Sequence, residues 1–148
     1  MGSCCSSSSE KVKAEAKQAA QCPCCGTSAK PVDRVTLIHQ VVAPFNQQLP
    51  ADDFFFCASA ACSTLYFSDA GAVIEVSQVR GEVGQKSTKP DRVICYCFDI
   101  HHSRVIEEIE QTGASASKAF VVEQTKLKNC ACDIRNPSGK CCLKDFPK

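Results

Sequence analysis

The stretch QCPCCG at residues 21–26, read together with FFFCASAACSTLYF at residues 54–67, decides the fold. Cys22 and Cys25 are separated by two residues on a Pro/Gly-bounded turn. Cys57 and Cys62 are separated by four residues, between two segments rich in aromatic and β-branched residues, which read as strands. Two thiol knuckles, one on a tight turn and one between strands, are the form of a zinc-ribbon-like site. Zinc takes four ligands in a tetrahedron, and four sulfurs leave no open position. The reading is a structural metal site, with Cys22, Cys25, Cys57 and Cys62 as ligands and Zn²⁺ as the ion. Its binding energy would serve as folding energy for a unit with little core. Cys24 leaves the first knuckle ambiguous, since it could replace Cys25. His39 reads as a surface or core histidine, not a ligand.

Working outward, the strand pattern covers Phe54–Cys57, Thr64–Ser68 and Val73–Val79, with Asp69-Ala70-Gly71 as the turn between the last two. Pro31–Val42 is apolar but ambiguous between strand and short helix. Gly81–Asp91, with its Gly, Ser, Lys and Pro, reads as a linker. Beyond it the period changes. His101–Thr112 places Val105, Ile106 and Ile109 on one helical face, and Gly113 stands where a glycine ends a helix. Ser115 or Ser117 can cap a second helix running to about Lys128, with Ala119, Val122 and Leu127 as the expected inward positions. The expected class is α+β, a small β-rich unit followed by a helical hairpin. The expected division is an arm at 1–20, a zinc-binding unit at 21–88 and a second unit at 89–148. No internal repeat is evident.

That second half holds its own cysteines: Cys95 and Cys97 in VICYCFDI (93–100), then Cys130, Cys132, Cys141 and Cys142 in CACDIRNPSGKCCLKDF (130–146). A C-x-C is tight for a zinc knuckle but occurs in iron–sulfur proteins, and a [2Fe–2S] rhomb needs two ligands on each iron. Thiolate softness restricts the metals to zinc, copper(I) and iron–sulfur clusters. His101 and His102, close after Cys97, could replace a cysteine as in Rieske centres, but enough cysteines are available.

Together these motifs resemble the N-terminal zinc and [2Fe–2S] domain of CopZ-type copper chaperones, over about residues 21–146. The second half is also similar to bacterioferritin-associated ferredoxin. The resemblance implies a zinc on Cys22, Cys25, Cys57 and Cys62. It implies a [2Fe–2S] cluster on Cys95, Cys97, Cys132 and one of Cys141 and Cys142, of which Cys142 is preferred. Cys130 is then a spare thiol. Complete chaperones of this family carry a separate heavy-metal-associated domain with an M-x-C-x-x-C motif. No such motif occurs within these 148 residues, which puts direct copper carriage by that module in doubt.

Composition agrees with metal chemistry. The chain has 13 cysteines but no Trp, and Met only at position 1. An odd cysteine count and the absence of an apolar leader in the first twenty residues argue against a secreted disulfide framework and for a reduced, cytoplasmic setting. The formal charge is +1. Each filled four-thiolate site nets −2, which takes the total to about −3. No basic face is left to suggest nucleic acid, and no segment has the apolar length for stable membrane insertion. Residues 1–20 read as a Ser/Cys-rich arm followed by a helix former. Gly2 with Ser6 fits a myristoylation pattern, and Cys4-Cys5 could be palmitoylated or bind a soft ion such as Cu⁺.

The functional expectation is a one-electron redox protein of metal homeostasis, with copper as the metal and Cu²⁺ reduced to Cu⁺. Its partners would be metal ions, a copper chaperone domain or copper-exporting ATPase, and an electron donor that the sequence does not identify. The alternative is a non-catalytic metal-binding or redox-sensing module. A third reading is a small electron carrier for iron release. Arg135, Lys140 and Lys144 lie close in sequence to the cluster cysteines, where positive charge would raise a cluster's potential. No phosphate loop, catalytic carboxylate pair or serine-centred motif is present.

Overall fold

The computed structural model of the chain describes residues 18–148. The lipidation pattern and the Cys4-Cys5 arm lie outside the described residues. The first half is a five-stranded antiparallel meander in the order β1–β5: β1 Ala20–Gln21, β2 Ser28–Val32, β3 Phe54–Phe56, β4 Thr64–Ser68 and β5 Val73–Glu75. Between β2 and β3 runs a short helix, α1, Arg34–Gln40. The ambiguous Pro31–Val42 segment is therefore both, the end of a strand and then a helix. Pro31, opposite Phe55, is tolerated in β2 because the short β1 pairs only with Ser28 and Ala29, so no partner on that side needs its missing N–H.

Period-two alternation in β3 and β4 sends side chains to two cores. Phe54 and Phe56 join Val32, Leu37, Leu65 and Tyr66 on one face. Phe55 and Phe67 stack on the other, ring centroids 5.6 Å apart, against the cysteines of the knuckles. A bulge at Leu65, between the Thr64–Glu75 and Tyr66–Ile74 pairs, lets Leu65 and Tyr66 reach the same core. The expected strand Val73–Val79 stops at Glu75 and continues as a 3₁₀ turn, Val76–Gln78, closed by reciprocal Glu75 and Gln78 capping bonds.

The second half opens with a two-stranded hairpin, β6 Val93–Cys95 and β7 Ile100–His101, whose turn carries Cys97. Two helices follow, α2 His102–Thr112 and α3 Ala116–Lys126, and then a single helical turn, α4 Cys132–Arg135. The class is α+β, as expected. Gly113 ends α2 in the left-handed conformation at φ 78°, and Ser115 caps α3 by accepting from the Lys118 N–H. Glu108 of α2 tightens the same corner. Its carboxylate accepts from the Ser117 N–H at 2.9 Å and from the Ser115 and Ser117 hydroxyls at 2.8 and 2.7 Å. Burial alone would raise its pKa, but these donors hold it down at about 2.

The inward face of α3 differs from expectation. Ser117 and Val121 are buried, Ala119 and Leu127 are exposed, and Val122 is intermediate. The helix is oriented by its contact with the 3₁₀ turn Cys142–Asp145, in a core with Ile94, Ile100, Val105 and Phe146. Among the described residues no helix is long and apolar enough to cross a membrane.

The expected linker is tied down. Its 3₁₀ turn Gly84–Lys86 hydrogen-bonds to both halves of the molecule. A second bridge runs from α1 to α4: the Thr36 hydroxyl donates to the Asp133 carbonyl, and Gln40 Nε2 donates to the Ile134 and Arg135 carbonyls. Tyr66, buried in the first core, donates its hydroxyl to the Pro137 carbonyl.

Candidate metal centres

The first knuckle is the loop between β1 and β2. Cys22 N–H donates to the Thr27 carbonyl at 2.9 Å, and Gly26 N–H returns to the Cys22 carbonyl at 2.8 Å. Gly26 sits at φ 73°, which a glycine adopts without penalty. The second knuckle is the β3–β4 connection, with Cys57 N–H on the Leu65 carbonyl and Cys62 N–H on the Ser59 carbonyl. The four sulfurs of Cys22, Cys25, Cys57 and Cys62 lie within 4.8 Å of one another. Cys22 and Cys62 are 3.9 Å apart, and Cys25 and Cys57 are 3.7 Å apart. A tetrahedron with Zn–S near 2.3 Å has sulfur–sulfur edges of about 3.8 Å, so the donor set fits zinc in both chemistry and size. Cys24 stands outside the quartet and is exposed.

Electrostatics at the quartet alternate. The Thr27 hydroxyl, 3.3 Å from the Cys25 sulfur, and the Thr27 backbone pull the Cys25 thiol down to about 6. Burial pushes Cys57 up to about 12. A divalent ion displaces the protons these neighbours share, so binding couples to proton release. Among the described residues, one cation touches the site. Lys86 Nζ lies 3.4 Å from the Cys57 sulfur and donates to the carbonyls of Ser59 at 2.7 Å, Cys62 at 3.0 Å and Thr64 at 2.8 Å. Sequence reading missed it, because a lysine among Gly, Ser and Pro looks like a solvated loop residue.

The second group is arranged differently. Cys97 and Cys132 sulfurs are 3.8 Å apart, and the Ala131 N–H donates to Cys97 at 3.3 Å. Cys95 and Cys142 are both buried in one core cluster, where their interaction draws Cys95 down to about 6 and drives Cys142 up. Burial, with the neighbouring Cys97 charge, pushes Cys132 up to about 12. Among the described residues the compact quartet is the one at Cys22, Cys25, Cys57 and Cys62. The second group is therefore two pairs, one inside the core and one at its half-exposed edge. Two sulfurs for each of two irons is the donor count of a [2Fe–2S] rhomb, and these pairs fit that count. Cys130 is half-buried and Cys141 exposed, outside both pairs.

Other sequence candidates fall elsewhere. Both ring nitrogens of His101 are engaged, Nδ1 with the Asp91 carbonyl at 2.9 Å and Nε2 with Asp99 at 3.1 Å. His39 is exposed, as are Arg135, Lys140 and Lys144. Among the described residues, the lysine that reaches a cysteine sulfur is Lys86.

Comparison with known proteins follows the same lines. Residues 19–80 match the family model described as a zinc binding domain of CopZ. The copper chaperone CopZ of Archaeoglobus fulgidus is 29% identical over 123 residues, which cover 82% of this chain; the match spans 57% of that protein's length. The X-ray structure of the A. fulgidus CopZ N-terminal domain superposes with a TM-score of 0.70 at 26% identity, over 87% of this chain and 100% of that domain. The chain is thus similar to CopZ: residues 19–80 match its zinc-binding domain, and the α+β fold matches that of the CopZ N-terminal domain.

Proposed function

We propose that the chain is a one-electron redox protein of copper homeostasis that works in the cytoplasm. Residues 21–88 hold a structural zinc on Cys22, Cys25, Cys57 and Cys62. Residues 89–148 hold a [2Fe–2S] cluster on Cys95, Cys97, Cys132 and Cys142. A cluster bound there supplies single electrons, the chemistry needed to turn Cu²⁺ into Cu⁺. The observation that supports this reading most is the split of the second cysteines into two pairs, Cys97–Cys132 at 3.8 Å and Cys95–Cys142 in the core.

The protein's own groups suit the task. Ile94, Ile100, Val105 and Phe146 surround the inner pair and keep water from it, while the half-exposed Cys97 and Cys132 set the outer pair near the surface. The Ala131 N–H donates to the Cys97 sulfur and helps fix its orientation. Copper is the substrate, and the natural recipients of Cu⁺ are a thiolate chaperone domain or a copper-exporting ATPase.

The test is an anaerobic preparation assayed for iron, sulfide and zinc and then given Cu²⁺ with a Cu⁺-specific chelator. About two irons, two sulfides and one zinc per chain are expected. Dithionite-reduced protein should yield about one Cu⁺ per chain as its colour returns to the oxidised form. A colourless chain holding two zincs would refute the cluster, and a coloured chain inert toward Cu²⁺ would refute the copper chemistry.

A further inference from the structure

The turn Gly84–Lys86 touches both thiol groups. At one end, Lys86 satisfies three carbonyls of the second knuckle and contacts the Cys57 sulfur. At the other, Gly84 N–H donates to the hydroxyl of Tyr96 at 2.7 Å, and that hydroxyl donates to Gln85 Oε1 at 2.7 Å. Tyr96 is the middle residue of the Cys95-Tyr96-Cys97 motif. Gln85 Nε2 donates in turn to Asn136 Oδ1 at 3.0 Å, in the loop between Cys132 and Cys142. The turn is also pressed against β6: a Cβ at Gly84 would stand 1.9 Å from the Val93 carbonyl oxygen.

We propose that residues 84–86 are a strap through which metal at the first quartet sets the geometry of Cys95 and Cys97, with Lys86 as its positioning residue. The proposal rests on the reading of a metal at the quartet. A metal drawing Cys57 and Cys62 together fixes the 59–64 carbonyls, and with them the four partners of the Lys86 ammonium. The Lys86 backbone adjoins Gln85 and Gly84, whose bonds hold Tyr96. Without metal the knuckle loses its closure, the lysine loses a fixed set of acceptors, and Tyr96 loses its anchor. Polar groups linked in this way act as one network, not as independent pairs.

The experiment uses the full chain prepared anaerobically, with Co²⁺ as the optical probe of the quartet and visible circular dichroism as the probe of the iron–sulfur chromophore. In the unsubstituted protein, withdrawing the quartet metal with a chelator should change the dichroism while the iron count stays constant. Tyr96→Phe should bind Co²⁺ within about twofold of the unsubstituted protein, yet its dichroism should respond much less, the remainder passing through the bonds between α1 and α4. Lys86→Met should weaken Co²⁺ binding by about 10–100-fold. The strap is overturned if the unsubstituted protein shows no response, or if Tyr96→Phe responds in full. Unchanged Co²⁺ affinity in Lys86→Met overturns the role of the lysine, and Tyr96→Phe decides the strap if that variant fails to fold. Absence of iron would defeat the cluster reading instead. Iodoacetamide labelling of Cys97 then reads the strap: Co²⁺ should slow it more in the unsubstituted chain than in Tyr96→Phe, and equal slowing in both would overturn the proposal.

Discussion

The two groups of cysteines arrange the same side chain in different ways. At Cys22, Cys25, Cys57 and Cys62 the four sulfurs close on one point, three of them are buried, and a lysine caps the site. At Cys95, Cys97, Cys132 and Cys142 the sulfurs stand as two pairs graded from core to edge. A closed tetrahedron with no open position and a redox-inactive ion can contribute only stability. A graded pair of pairs can hold a two-iron group whose outer side lies near solvent. The number of sulfurs says little; their mutual distances and exposure distinguish the two groups.

The largest expected effect breaks the first site. Cys57→Ser, at a fully buried ligand position, should abolish cooperative thermal unfolding of the β-rich half, since a structural zinc is worth on the order of 10 kcal/mol in small domains. Cys97→Ser should lose colour while keeping a cooperative melt, because α2 and α3 have a core of their own. Circular dichroism melts of the two variants make the comparison. Equal loss of folding in both would erase the distinction drawn between the sites.

Next in size is the choice of sulfurs in the second group. Cys132→Ala and Cys142→Ala should abolish the visible spectrum, while Cys130→Ala and Cys141→Ala should leave it recognisable. Bleaching by Cys130→Ala with colour retained in Cys132→Ala would shift the ligand set along the loop and contradict the pairing with Cys97.

Gly84→Ala should cost about 1–3 kcal/mol, because its Cβ cannot coexist with the Val93 carbonyl unless the turn or β6 moves. Urea denaturation of the loaded protein measures it, and a change of under about 0.5 kcal/mol would show that the turn is free to move.

The smallest effect belongs to the hairpin corner. Glu108 has its pKa lowered from 4.5 to about 2 in the fold, so its contribution is present above pH 4.5 and fades as pH falls from there toward 2. Glu108→Gln should therefore be less stable than the unsubstituted chain by about 1 kcal/mol at pH 7, and the gap should close at low pH. Denaturant midpoints at the two pH values check this; a pH-independent gap would mean that packing, not charge, is lost.

Much of this architecture could be read from the residues because it is local. The aromatic strands, the Asp69-Ala70-Gly71 turn, the Gly113 stop and the Ser115 cap depend on neighbours a few positions away. Cysteine spacing likewise pointed to two groups, since a turn such as C-x₂-C fixes its sulfurs whatever lies around it. The rest depends on contacts between distant segments. Thr36 and Gln40 bond to backbone carbonyls of α4 nearly a hundred positions away, and no periodicity marks such bonds. Lys86 owes its role to the carbonyls that the second knuckle happens to present. The face of α3 was misread because apolar residues are spread around that helix, and the segment packed against it, Cys142–Asp145, chose Val121 over Leu127.

X-ray absorption at the zinc and iron edges of one anaerobic sample tests the contrast between the two sites most directly. The account predicts zinc with four sulfur neighbours at about 2.3 Å and no metal–metal scattering, and iron in a sulfur shell with a short iron–iron vector. Zinc at both sites, or iron bound as single ions without that vector, would contradict it.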